Sequence, residues 1–105
     1  MSSEIGEKAY TSGDWRVTEG REEEFVQAWT EFTSWSHENA SGSEEFILIR
    51  QARDPRHFLS FGAWDSLDSV DTWRSRPEFA DLLGRCRALC DEFDSADYVL
   101  AARVG

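Results

Sequence analysis

Apolar residues recur at two different periods along this 105-residue chain, and the switches between periods mark its elements. AYTSGDWRV, residues 9–17, alternates and reads as a strand with Thr11, Gly13, Trp15 and Val17 on one face. Gly13 within it marks a bulge or a close backbone approach. The spacing then becomes helical: Phe25, Ala28, Trp29, Phe32 and Trp35 predict a helix over about 21–37. Glu22, Glu23 and Glu24 fall in its first turn, where the helix dipole favours negative charge. The turn-rich ENASGS, residues 38–43, stops it. EFILIRQ (45–51) and HFLSFGAW (57–64) predict two further strands, joined through ARDPRH. Asp65 or Ser66 can cap the next helix, whose face is Leu67, Val70 and Trp73. Pro77 interrupts it, but proline is tolerated in a first turn. Ser75 and Glu78 have capping-box spacing, so a fresh helical segment is predicted there, lined by Phe79, Leu82, Leu83, Cys86, Leu89, Cys90 and Phe93. DSADYVLAARV, residues 94–104, predicts a fourth strand. No internal repeat or low-complexity segment stands out. Residues 1–8 are polar and read as a flexible N-terminus, leaving 9–105 as a single domain.

The order β-α-β-β-α-β predicts an α+β, ferredoxin-like fold with a four-stranded antiparallel sheet. The strands alternate poorly for a sheet with one wet face. In HFLSFGAW one face is His57, Leu59, Phe61 and Ala63, and the other is Phe58, Ser60, Gly62 and Trp64. FILI and YVLAA are apolar on both faces as well. Four strands at about 4.8 Å spacing are roughly 19 Å wide. Two helices about 10 Å across cover one such face and leave the other bare. A large bare apolar face is rarely tolerated by a monomer. A homodimer, sheet against sheet in a dimeric α/β barrel, is therefore expected.

Composition narrows the partners. The net charge of −10 repels phosphate backbones and anionic membranes, so neither nucleic acid nor a membrane is an expected partner. MSSEIGEKAYTSGDW has no apolar h-region and no run approaches a membrane span, which predicts a cytoplasmic protein. Five Trp, seven Phe and two Tyr supply more ring area than a core this small requires, so a cavity or an interface should use some of it. Cys86 and Cys90 are four apart and are expected on one helix face as small hydrophobes, not as a redox CxxC pair.

WRVTEGREEEFVQAW (15–29), FLSFGAWDSLDSVDTW (58–73) and RPEFADLL (76–83) together resemble the antibiotic biosynthesis monooxygenase family. The shared features are a Val-x-x-Gly before the first helix, aromatics along it, a Trp ending the third strand and a second Trp in the next helix. The resemblance spans about residues 9–104 and implies a dimeric ferredoxin-like barrel with a ligand pocket between sheet and helices. It implies oxygenation of a small aromatic substrate by O2 with no cofactor, as in anthrone oxygenation, and in other members haem binding and degradation. The polyketide oxygenases of the family carry a strand-three Trp, an Asn four residues before it and a Tyr six residues after. Trp64 matches the first; Ser60 and Val70 occupy the other two positions. The haem-degrading members carry a strand-one Asn, a helix-two Trp and a His further along. Trp73 matches the Trp, with Gly13 at the Asn position and Leu83 near the His.

The resemblance makes Trp64 and Ser60 the candidate catalytic residues. Trp64 would stack on a flat substrate or donate its indole N–H, or it would fill the strand-to-helix corner. Ser60 would add a donor. Trp15, Trp29, Trp73, Gly13, Val70 and Leu83 are the candidate pocket residues, each with core packing as the alternative. His37 and His57 are the only histidines, so a multi-His metal site is not available and no metal is expected. Arg16 and Arg50 could hold an anion or simply be solvated edge residues. Asp91, Glu92, Asp94 and Asp97 lack calcium-loop spacing and read as a solvated turn.

Overall fold

A computed structural model describes residues 8–105. The expected loose segment 1–8 lies outside them apart from Lys8, which pairs with Glu44 and accepts a backbone bond from Leu100. The elements are β1 (Ala9–Val17), α1 (Glu22–Asn39), β2 (Ser43–Arg50), β3 (His57–Trp64), α2 (Leu67–Arg74), α3 (Pro77–Arg87) and β4 (Cys90–Val99). The sheet is antiparallel throughout, in the order β2-β3-β1-β4. This is the ferredoxin-like arrangement expected from the element order.

The helices lie on one face of the sheet. α1 buries Phe25, Trp29, Phe32, Thr33 and Ser36, a stripe at helical spacing. Ser66 caps α2 by accepting the Ser69 N–H at 3.2 Å, and α2 buries Val70 and Trp73. Pro77 opens α3, where its missing N–H costs no helical bond. The Ser75–Glu78 capping box does not form: Ser75 closes α2 and donates its hydroxyl to Thr72 O, and Arg76 precedes α3 without a side-chain cap.

The last third of the chain departs from expectation. The helix expected to run through Phe93 ends at Arg87, and β4 starts at Cys90 instead of near 94. Phe93 sits opposite Trp15 in the β1–β4 register, with ring centroids 4.1 Å apart, so it is held by a cross-strand partner and not by a helical neighbour. Cys86 and Cys90 consequently lie on different elements, although the Cys90 thiol still reaches Cys86 O at 3.4 Å. Asp91, Glu92, Asp94 and Asp97 belong to this strand and not to a turn.

On the face away from the helices the apolar character is uneven. Ile47, Ile49 and Phe61 are 44%, 48% and 40% exposed, and the registers place them side by side on β2 and β3. β4 presents Glu92, Asp94, Ala96 and Tyr98 there, because VLAA lies mostly beyond the strand. Arg16 is on a central strand, paired with Asp54 at 3.0 Å, and His57 bridges Asp14 and Gln51 at 2.7 and 2.6 Å. The shortest dimension, 19 Å, is one helix layer on one sheet layer. No helix of the described residues is long and apolar enough to cross a membrane.

Candidate functional site: an aromatic cavity over a small-residue floor

Between sheet and helices lies a cavity of about 290 Å³. Its floor is built from the middle of the two central strands, where Thr11 and Gly13 face Gly62 and Ser60 in register. Small side chains at all four positions leave space that larger ones would occupy. The walls are aromatic: Trp15 and Phe93 at one end, and Trp29, Phe32, Phe46, Trp73 and Phe79 from the helices and β2.

The walls are locked by two ring clusters. In one, Trp15 contacts Phe25 at 5.0 Å and Phe93 at 4.1 Å, and Phe25 contacts Phe58 at 5.1 Å. In the other, Trp73 meets Trp64 and Phe79 at 4.7 Å each and stacks near-parallel on Phe32 at 5.6 Å. Pairs at such separations contribute about 0.5–1.5 kcal/mol each beyond their buried area.

Each of three buried indole N–H groups donates to a hydroxyl. Trp15 Nε1 reaches Ser60 Oγ at 3.0 Å, Trp64 Nε1 reaches Thr11 Oγ1 at 3.1 Å, and Trp73 Nε1 reaches Ser36 Oγ at 2.8 Å. The first two bonds form a related pair. The strand segments are TSGDW (11–15) and SFGAW (60–64), both hydroxyl-x-Gly-x-Trp. Run antiparallel, they place each glycine opposite the other strand's hydroxyl, so each Trp reaches across to the hydroxyl facing its own strand's glycine; Trp15 lies directly over Gly13, and the Phe46 ring lies over Gly62. A Cβ at Gly13 would stand 2.5 Å from Trp15 Nε1 and 2.7 Å from Ser60 Oγ; one at Gly62 would stand 2.7 Å from Thr11 Oγ1. Glycine is required at both positions by this close approach.

Of the candidates named from sequence, Gly13, Trp15, Trp29, Ser60, Trp73 and Leu83 are brought together on the cavity lining. Trp64 and Val70 are not on it. Both are fully buried, Trp64 behind Trp73 and Phe46, with its N–H spent on Thr11. Thr11, Thr33, Arg74 and Arg87 line the cavity and were not singled out from sequence. For Thr11 the signal was present in the shared hydroxyl-x-Gly-x-Trp spacing; for the arginines, one on α2 and one on α3, no local pattern exists.

The electrostatics are simple. Among the described residues, no carboxylate, imidazole or thiol lines the cavity. Arg74 is held bidentately by Asp97, both bonds 2.6 Å, and this guanidinium holds the Asp97 carboxyl below its ordinary range. Arg87 lies over the Phe93 ring, 5.6 Å from its centroid. Cys86 and Cys90 sit away from the lining, and burial pushes their thiols up to about 12 and about 11. His37 is exposed at the end of α1 and His57 faces away from the helices, so a haem in this cavity would find no axial imidazole. Arg16 and Arg50 are not on the lining either. No group of three or more metal-binding side chains occurs among the described residues.

The family model described as antibiotic biosynthesis monooxygenase matches residues 12–84, most of the chain. The chain belongs to this family. The antibiotic biosynthesis monooxygenase match runs from β1 into α3 and contains most of the cavity lining, with Thr11, Arg87, Phe93 and Ser95 outside it. Among solved structures, SnoaB from Streptomyces nogalater, a cofactor-independent oxygenase, superposes with a TM-score of 0.78 at 17% identity, covering 94% of this chain and 96% of that one. A Nitrosomonas europaea protein provisionally described as an antibiotic biosynthesis monooxygenase gives 0.81 at 17% identity, covering 95% and 96%. A Chloroflexus aurantiacus protein with the same provisional description gives 0.75 at 20%, covering 93% and 97%. At these identities the superpositions speak to the fold. A comparison with curated proteins finds no match.

Proposed function

We propose that this family member is a cofactor-independent monooxygenase that oxidises a flat phenolic metabolite of the anthrone type. The observation that carries the reading is an aromatic-walled cavity whose floor offers buried hydroxyls. Such chemistry draws its electrons from the substrate. An anthrone methylene gives a proton to solvent, which returns it to the peroxide formed afterwards, and leaves a delocalised anion. The anion passes one electron to O2, the radical and superoxide combine as a peroxide at that carbon, and loss of water leaves a carbonyl. In sum, CH2 and O2 become C=O and H2O. The protein has to hold the ring, exclude water and donate hydrogen bonds to the anion's oxygens.

Ser60 is the assigned donor: its oxygen accepts from Trp15 and it lines the cavity. Trp15, Trp29 and Trp73 supply flat walls, with Leu83 beside them; Trp64 and Val70 serve from behind the wall. A cavity of about 150 Å³ holds one benzene, so about 290 Å³ suits two or three fused rings. Larger ring systems would have to protrude. The reading includes a homodimer, supported by the uncovered Ile47–Ile49–Phe61 patch.

A second reading is a binding module that keeps the pocket without the reaction, favoured by the absence of any base on the lining among the described residues. One experiment separates them. Purified protein is mixed with 1,8-dihydroxyanthrone under O2 and quinone formation is followed by absorbance. Turnover above the spontaneous rate supports the oxygenase. Quenching of tryptophan fluorescence without turnover supports the binding module.

A further inference from the structure

Thr11 and Trp64 form a unit that the cavity uses indirectly. Trp64 is fully buried and off the lining, and its single polar atom already donates to Thr11 Oγ1. It therefore has no hydrogen bond left for a ligand. Thr11, in contrast, is on the lining. A threonine hydroxyl has one proton and two lone pairs. The indole occupies a lone pair, and no acceptor for the Thr11 proton is present among the described residues. Ser60 is in the same state: it accepts from Trp15, and its own proton has no protein acceptor among the described residues. Both hydroxyls are nearly buried, at 8% exposure, and both belong to the cavity floor. The facing glycines let each hydroxyl sit where it does: a Cβ at Gly62 would stand 2.7 Å from Thr11 Oγ1, and one at Gly13 2.7 Å from Ser60 Oγ.

We infer that Thr11 and Ser60 are a matched pair of hydroxyl donors for a ligand carrying two acceptor oxygens on one flat framework, and that Trp64 is a positioning residue that sets the Thr11 hydroxyl. The two residues stand on a cross-strand diagonal, which separates their backbones by about 7–8 Å and their leaning side chains by less. Each indole occupies one lone pair of its hydroxyl, which leaves the hydroxyl proton free to point into the cavity that both residues line. A hydroxy-ketone or a diketone meets both donors; a hydrocarbon of the same shape meets neither. The inference rests on the aromatic-ligand reading above, but not on turnover.

The test measures a ratio of affinities, so that general damage cancels. Binding of 1,8-dihydroxyanthraquinone and of anthracene is followed by tryptophan fluorescence quenching in the wild type, Thr11→Val, Thr11→Ser and Trp64→Phe. Thr11→Val should weaken the quinone about twofold to tenfold, the range for a hydrogen bond between neutral groups, and leave anthracene unchanged. Thr11→Ser should restore the preference. Trp64→Phe should lower it in part, and adding it to Thr11→Val should lower it no further, because both act through one hydroxyl. If Thr11→Val does not fold, Ser60→Ala and Trp64→Phe give the same comparison. A wild type without preference for the quinone, or a Thr11→Val protein that loses both probes equally, overturns the donor pair. Additive losses from Thr11→Val and Trp64→Phe overturn the positioning role. Oxidation of 1,8-dihydroxyanthrone by the wild type is scored separately. Its absence sinks the oxygenase reading, while the affinity ratio still decides the donor pair.

Discussion

Replacing Gly13 by alanine adds one methyl group at the point where the cavity floor has least room. The backbone gains from the change, since alanine loses less freedom on folding than glycine, by about 0.5–1 kcal/mol. Against this, the new Cβ would stand 2.5 Å from Trp15 Nε1 and 2.7 Å from Ser60 Oγ, well inside contact distance. Trp15 cannot swing away freely, because it is packed on Phe25 and Phe93. Two losses follow. Overpacking costs about 1–3 kcal/mol. The Trp15–Ser60 hydrogen bond breaks, and a desolvated indole N–H without a partner costs about another 1–3 kcal/mol. The balance is a loss of about 1–5 kcal/mol, centred near 3.

Urea unfolding of the wild type, Gly13→Ala, Ser60→Ala and the double variant measures it. Because Gly13→Ala already breaks the bond that Ser60→Ala removes, the double variant should fall short of the sum of the singles. In a domain of this size, a 3 kcal/mol loss lowers the melting temperature by roughly 12–24 °C. A Gly13→Ala protein as stable as the wild type, or more so, would show the backbone term unopposed. The packing of Trp15 over Gly13 would then be refuted.

Three further outcomes are expected. Asp97→Asn should lower stability at neutral pH, and the deficit should shrink as pH falls. Arg74 holds the Asp97 carboxyl below its unfolded value of about 3.9, so its contribution is present above that value and is lost as pH drops through the folded one. The pair is about one-third exposed, so the difference in urea unfolding should stay within about 1 kcal/mol. Cys86 and Cys90, with thiols raised to about 12 and about 11, should react very slowly with a thiol reagent at pH 8 in the native protein and promptly in urea. The Cys86 thiolate is then roughly one part in ten thousand, and equal native and denatured rates would contradict its burial. Phe61→Lys, 40% exposed on the uncovered sheet face, should convert a dimer to a 12.0 kDa monomer by light scattering with little change in fold. A wild type that is already monomeric at micromolar concentration would remove the dimer.

Much of the fold was legible because its patterns are strong. β3 occupies its expected span, and the α1 stripe and the break at Pro77 follow directly from spacing and backbone chemistry. The failure at β4 has a definite cause. Cys86, Leu89, Cys90 and Phe93 repeat at helical intervals, but Phe93 gains more from stacking on Trp15 across the sheet than from continuing α3. CDEFDSADYV is a weak strand by intrinsic preference, and pairing with β1 decides it. The site was legible in part. Gly13 reads in the sequence as a bulge or a close backbone approach; the registers run through it without a bulge, and what approaches it is side chain, the Trp15 indole and the Ser60 hydroxyl. Arg74 and Arg87 could not be found from sequence, since what places them on the cavity is helix packing.

The arrangement also explains why stability and a cavity coexist in so short a chain. The rings that hold the layers together are gathered at the two ends of the central strands: Trp15, Phe25, Phe58 and Phe93 at one, Trp64, Trp73, Phe32 and Phe79 at the other. Between them the two central strands carry Thr11, Gly13, Ser60 and Gly62 toward the helices. Larger apolar residues at those four positions would bury more surface and strengthen the core at about 25 cal/mol per Å², yet would close the cavity. The hydroxyls add a second constraint, because they are the partners of two indoles that cannot be left unsatisfied. Floor and walls are therefore coupled: the same bonds that satisfy the tryptophans fix where a bound molecule can be gripped.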